Sequence, residues 1–252
     1  MDGQLNDLVG EWFDIEHRDR ICVSSLVPEE TAYYRAGEPS DEYPVIKVGG
    51  TNGKGSTTRF IAWSLINSGH DVGVMSNPSA TTDPTAVIQI NHESIPRDTL
   101  KSCCEEVFNI APDNIEPYGI RTIAAMQWFA DNDVDVAVFE AGVGGETDAT
   151  NLATGITTTI TTVGEDHIES LGGSPVTVQS HIAGLADAET PVIVNAARDN
   201  NELYTQLRGK CSSVVRANPY CDFFRDNNAL TYHASVNYGD MITEVETPFT
   251  AP

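Results

Sequence analysis

Basic side chains are scarce in this chain. Its 252 residues hold 14 lysines and arginines against 37 aspartates and glutamates, a formal charge of −23. Only Lys47, Lys54, Lys101 and Lys210 are lysines. A surface of that sign repels phosphate backbones, which excludes nonspecific nucleic-acid binding as a main role. Long apolar runs are missing as well. No stretch approaches the roughly 18 apolar residues of a transmembrane helix, so no membrane partner is expected. Met1 to Asp19 is acidic and polar, without the apolar centre of a signal peptide. Cysteine is sparse and odd in number: Cys22, Cys103, Cys104, Cys211 and Cys221, with no C-x-x-C spacing. That excludes a disulfide framework or a zinc site from the expectations and fits a reducing cytoplasm.

The acids are dispersed along the chain and do not form a tail. A dispersed anionic surface poor in lysine stays hydrated when salt screens charge, which reads as a halophilic composition. Hydrophobic residues make up 40% of the chain, enough for a sizeable core. The length suits one large domain, or one domain with appendages.

Strand and helix patterns alternate from Pro44 to about Val215, so the expected fold is α/β, a doubly wound and mostly parallel sheet. Strands are expected at Pro44–Val48, Asp71–Met75, Val134–Phe139, Ile156–Val163, Pro191–Val194 and Ser213–Val215, with a small hairpin around Val87–Ile95. Helices are expected at Ser56–Ser68, Asp98–Phe108, Tyr118–Ala130, Ser174–Leu185 and Asn200–Leu207. Ser174-Pro175 carries the N-cap and the first-position proline of its helix. Residues 1–43 read as a helical lead-in and loop, 44–218 as the main domain, and 219–252 as a divergent, irregular tail or hairpin.

One segment carries most of the chemistry. Val48-Gly49-Gly50-Thr51-Asn52-Gly53-Lys54-Gly55-Ser56-Thr57-Thr58 follows a strand and opens a helix. Backbone N–H groups and a helix dipole hold phosphate in that setting, and glycines let the anion approach. Lys54 would bridge terminal phosphates, and a hydroxyl at the helix start would face magnesium. The spacing departs from G-x-x-x-x-G-K-[ST], because Gly55 follows Lys54. A plain glycine turn is the bland alternative.

These residues resemble the Mur ligase superfamily, and within it the folylpolyglutamate/dihydrofolate synthases. Gly50 to Ser56 matches that family's variant phosphate loop letter for letter. Glu140-Ala141-Gly142-Val143-Gly144-Gly145-Glu146-Thr147-Asp148-Ala149-Thr150-Asn151 resembles its E-x-G-x-G-G-x-x-D-A-T-N stretch. Gly164-Glu165-Asp166-His167, followed by Leu171-Gly172, resembles its G-L-D-H and L-G. The resemblance runs from about Gly37 to Val194.

It implies a Mur-type central ATP-binding domain of P-loop NTPase kind. ATP and Mg²⁺ would lie on Gly50, Thr51, Asn52, Gly53, Lys54, Gly55, Ser56 and Thr57. Lys54, Glu140 and His167 would be the catalytic groups, and Ser56, Asn77, Glu140 and His167 the metal ligands. Asp148 and Asn151 would set the loop behind them. The implied reaction passes the γ-phosphoryl of ATP to a folate carboxylate, and the α-amino group of glutamate then displaces phosphate from the acyl phosphate to leave an amide. That needs positioning and charge neutralisation more than a protein nucleophile.

The sequence also departs from the family. Counted without gaps from Asp166-His167, the family's carbamylated lysine falls at Ile182 and its neighbouring glutamate at His181. The arginine after the second glycine pair is Glu146. The loop T-S-P-H-L becomes Ser76-Asn77-Pro78-Ser79-Ala80. The Glu-Arg pair of the folate-side loop falls at Ala86-Val87, and a Phe-Glu pair at Arg121-Thr122. The family's further C-terminal domain finds no counterpart before Pro252, which implies a partner subunit that supplies it. Three readings stand: a folate-type amide ligase, a non-catalytic nucleotide-binding homologue, and a ligase for another acid.

Overall fold

The computed structural model describes residues 25–77, 83–164, 168–169, 171–195 and 200–217, together with the backbone of strands within 221–249. The contacts divide the chain into two units, Met1–Val215 and Arg216–Pro252.

The first unit alternates strand and helix, as the apolar periods demand. Its helices are α1 (Val27–Arg35), α2 (Lys54–Asn67), α3 (Arg97–Ile110), α4 (Pro117–Asp131), α5 (Pro175–Gly184) and α6 (Asn201–Lys210). Its strands are β1 (Val45–Gly49), β2 (Val72–Met75), β3 (Ile88–Ile90), β4 (Glu93–Ser94), β5 (Val136–Glu140), β6 (Thr157–Ile160), β7 (Pro191–Val194) and β8 (Ser213–Arg216). They form one sheet in the order β4-β3-β2-β5-β1-β6-β7-β8. Strands β2, β5, β1, β6 and β7 pair in parallel, while β3 and β4 add an antiparallel edge.

The period of two along each strand divides the core. Val48, Val72, Val74, Val136 and Val138 meet Ala62 of α2 on one face. Val45, Met75, Ala137 and Phe139 meet Leu100, Val107, Ile123 and Phe129 of α3 and α4 on the other. A second cluster joins Ile160, Val192 and Val194 to Val178 and Ile182 of α5 and Leu203 of α6. Each large side chain so enclosed contributes about 1.5–3 kcal/mol relative to exposure. The expected α/β architecture is therefore present, with helices on both faces of the sheet.

Some boundaries differ from expectation. Helix α2 begins at Lys54, two residues ahead of Ser56, because Gly53 takes φ 85° at the N-cap and turns the chain early. Strand β6 stops at Ile160: Thr161 still donates to the Gly49 carbonyl at the end of β1, and Thr162 turns its carbonyl and hydroxyl to the glycine loop. Ser174 caps α5 as expected, accepting from Thr177 N–H while the Thr177 hydroxyl meets the Ser174 N–H.

The second unit, expected as an irregular tail or a hairpin, is regular antiparallel strand. β9 (Cys221–Asp226), β10 (Ala229–Tyr238) and β11 (Met241–Phe249) form a three-stranded antiparallel sheet in the order β11-β10-β9. The registers Asp226↔Ala229 and Tyr238↔Met241 leave two-residue connections, at Asn227-Asn228 and Gly239-Asp240.

Candidate functional site

The central strand delivers the glycine loop. β1 ends at Gly49, the chain turns through Gly50 at φ 121°, and α2 starts at Lys54. A Cβ on Gly50 would run into Thr161 Oγ1 and the Thr162 carbonyl, so only glycine fits. The loop is fastened to the end of β6. Thr51 N–H donates to the Thr162 carbonyl at 2.6 Å, and Asn52 N–H to Thr162 Oγ1 at 3.0 Å. Gly164 N–H donates to Thr51 Oγ1 at 2.9 Å. The Lys54 ammonium donates back to the Thr51 carbonyl at 3.2 Å. Lys54 thereby lies over the loop, at the positive end of α2.

A crevice opens beside it. Gly50, Thr51, Lys54, Gly142, Val143, Gly144, Leu171, Val178 and Ile182 line it. Ile182 is 2% exposed and belongs to the core of its cluster. Where the family resemblance puts a metal-binding lysine, this chain presents hydrocarbon.

Glu140 closes β5 at the carboxyl edge of the sheet, where open α/β folds carry their ligands. Burial pushes its carboxyl above the usual range, against the opposing pull of the Asn77 N–H and the charges of Lys54 and Arg59. Asn77 N–H donates to Glu140 Oε2 at 3.0 Å. Gly55 leaves the carboxylate room, since a Cβ there would stand 3.3 Å from Oε2. The structure thus gathers Lys54, Gly55, Asn77 and Glu140, with Ser56 next in the first turn of α2. Asn77 reaches Glu140 through its backbone. Thr57 N–H is spent inside the helix, on the Gly53 carbonyl. His167, with Glu165, Asp166, Pro78, Ser79 and Ala80, lies outside the described residues.

Asp148 organises the loop after β5. It is buried and accepts from Gly142 N–H at 2.7 Å, Val143 N–H at 3.2 Å and Thr150 Oγ1–H at 2.6 Å. Burial raises its carboxyl, and the bonds to Thr150, Val143 and Gly142 oppose that. Asn151 donates to the Glu146 carbonyl at 3.2 Å and accepts from Lys47 at 2.9 Å. Glu146 faces His181, with Oε2 3.8 Å from Nδ1. Gly142-Val143-Gly144-Gly145 serves packing: a Cβ on Gly145 would strike Leu185 and the His181 carbonyl.

Four residues take parts here that their sequence pattern did not show. Lys47 is wholly buried and pairs with Asp187. Its signal was a lone charge inside an apolar strand. Thr161 and Thr162 hold the loop, yet read as ordinary β-branched strand residues. Arg121, which the sequence marked only as a departure from the family's Phe-Glu pair, stacks on Tyr118, 5.3 Å from the ring centroid. Among the described residues no group of three or more His, Cys, Asp and Glu could cage a metal. No described helix is long and apolar enough to cross a membrane.

A glycine loop between the central parallel strand and a helix, faced by a carboxylate on the neighbouring strand, defines an α/β domain of P-loop type. The comparisons narrow this class. No family model matches the chain. It is 33% identical over 171 residues to the folylpolyglutamate synthase of Lacticaseibacillus casei, covering 65% of this chain and 40% of that protein. It is 31% identical over 185 residues to the dihydrofolate synthase/folylpolyglutamate synthase of Haemophilus influenzae, covering 73% and 42%. A probable bifunctional folylpolyglutamate synthase/dihydropteroate synthase of Haloferax volcanii matches at 28% over 220 residues, 84% of this chain and 25% of that one. The fold matches Mycobacterium tuberculosis folylpolyglutamate synthase complexed with ADP, with TM-score 0.78 and 23% identity over 92% of this chain and 54% of that one. It also matches Escherichia coli FolC in complex with DHPP and ADP, with TM-score 0.76 and 22% identity over 91% and 55%. The chain is homologous to the folylpolyglutamate/dihydrofolate synthases of the Mur ligase superfamily. It spans about two fifths of the length of the first two curated relatives.

Proposed function

We propose that the chain binds Mg·ATP as the nucleotide-binding part of an amide ligase of folylpolyglutamate synthase type. The observation that carries this reading is the convergence of Lys54, Gly55 and Glu140 at the start of α2, beside a crevice floored by the glycine loop. Loop N–H groups and Lys54 hold the phosphates. Glu140 and the Ser56 hydroxyl suit Mg²⁺, which takes one or two protein oxygens and completes its shell with phosphates and water. When bound, the ion neutralises charge on the transferring phosphoryl group.

The acceptor is a folate-type carboxylate, and glutamate supplies the amine. A C–N bond forms as the acyl–phosphate C–O bond breaks, and the amine loses a proton. A partner subunit bearing the glutamate side of the cleft belongs to this reading. So do the assignments of His167 and Asn77 as metal ligands and the boundaries of the main domain at 44 and 218.

A second reading has its own observation. Ile182 lines the crevice and is sealed into the core. It supports a nucleotide-binding homologue without ligase turnover. ADP release measured with Mg·ATP, dihydrofolate and glutamate separates the two. Glutamate-dependent release supports the ligase, and tight Mg·ATP binding without release supports the second reading.

A further inference from the structure

Resting on the nucleotide-binding part of that reading, the structure assigns Thr162 as a positioning residue that presets the phosphate loop before nucleotide arrives. Gly50 and Gly53 stand at φ 121° and 85°, a region that glycine enters freely. They bracket two residues, Thr51 and Asn52, and a segment between two such hinges has many conformers to lose on binding. Those two residues are the ones that the chain leaving β6 grips. Thr51 N–H donates to the Thr162 carbonyl at 2.6 Å. The Thr162 hydroxyl serves Asn52 twice, accepting from its N–H at 3.0 Å and donating to its carbonyl at 3.2 Å. In side-chain form it continues the pairing that β1 and β6 make as strands up to Gly49 and Ile160. Thr51 answers with its own hydroxyl, which accepts from Gly164 N–H at 2.9 Å.

This grip decides which groups face the anion. The N–H groups of Thr51 and Asn52 are spent on Thr162. Lys54, Gly55 and Ser56 open α2, and the N–H groups of a first turn have no acceptor within their own helix. Those are left for phosphate, with the helix dipole behind them. Thr51, fixed at its N–H and its hydroxyl, also directs its carbonyl, on which the Lys54 ammonium rests at 3.2 Å. One threonine hydroxyl thus sets the path of the loop, the N–H groups it offers and the seat of Lys54. Thr162 is exposed. Water can replace its bonds when they are lost, so they add little to folding. Their worth lies in the loop conformers that they exclude, because a site formed only part of the time binds more weakly by that fraction.

The test uses the full chain in high salt, with Mg·ATP affinity by calorimetry and melting temperature read side by side. Thr162→Val keeps the shape and removes the hydroxyl, Thr162→Ser keeps the hydroxyl, and Thr162→Ala removes it without adding bulk. Thr157→Val is the control, since it deletes a side-chain bond to the Pro191 carbonyl at the opposite end of β6. Thr162→Val and Thr162→Ala should each lose about threefold to thirtyfold in Mg·ATP affinity, the worth of one or two hydrogen bonds. Thr162→Ser and Thr157→Val should stay within about twofold of wild type. The melting temperature of Thr162→Val should fall no further than that of Thr157→Val. A threonine that only supports the fold would lower the melting temperature and leave affinity unmoved, and that result overturns the assignment. An affinity loss in Thr162→Ser equal to that in Thr162→Val overturns it too, because the hydroxyl would then not be the group that acts. Failure of wild type to bind Mg·ATP would instead remove the nucleotide reading on which the assignment rests.

Discussion

Lys47 Nζ lies 2.7 Å from Asp187 Oδ2, and the lysine side chain is wholly closed to solvent. The pair joins the strand that carries the glycine loop to the turn after α5. Asn151 Oδ1 accepts a second bond from the same ammonium, and Gly155 N–H meets Asp187. Three segments around the site are thus fixed by one buried cation.

Removing Asp187 alone strands that cation. Asp187→Ala should cost about 3–5 kcal/mol of folding stability, the range for breaking a buried pair. The double variant Lys47→Met with Asp187→Leu should recover most of the loss, because apolar replacement removes both desolvation costs. Urea unfolding at constant salt reads both values. Equal losses in the single and double variants would deny the pair its role.

Gly50→Ala forces a side chain into Thr161 and the Thr162 carbonyl at a φ that disfavours it. The strain is about 1–3 kcal/mol. Because the clash falls on the bonds that fasten the loop, Mg·ATP affinity should fall with stability. Gly53→Ala shares a positive φ but meets no atom, so its effect should be smaller. Calorimetric titration of both variants tests the ranking.

Glu29 gives a pH signature. It is 1% exposed and accepts from Glu116 N–H at 3.2 Å through Oε1, while Oε2 has no partner among the described residues. Burial raises its carboxyl above 4.5. A raised carboxyl favours the folded state when protonated, so this contribution is present below the unfolded value and lost as pH rises through the folded one. Glu29→Gln keeps the acceptor without the charge. It should match wild type near pH 4 and exceed it in stability at pH 8, seen in melting temperatures across pH. A constant difference would contradict the assignment.

What the sequence made readable was local. The glycine loop, the Ser174 cap and the carboxylate at the end of β5 follow from residue types within a few positions of one another. What it hid was pairing across distance. A lysine in an apolar strand looks the same whether it meets Asp187 or water, and Arg121 looks like any arginine on a helix. Glu146 and His181 read as two separate departures, and the fold makes them neighbours 3.8 Å apart. The early start of α2 hid because Gly53, at φ 85°, turns the chain sooner than the hydroxyl run behind it suggested.

The measurement that reaches the centre of this account is calorimetric binding of Mg·ATP in high salt, for wild type and Lys54→Ala. High salt screens the self-repulsion of a chain at −23. Wild type should bind, and Lys54→Ala should lose about tenfold to a hundredfold or more, the worth of charge-assisted bonds to phosphate. A folded wild type that binds no nucleotide, or a Lys54→Ala variant that binds equally well, would contradict it.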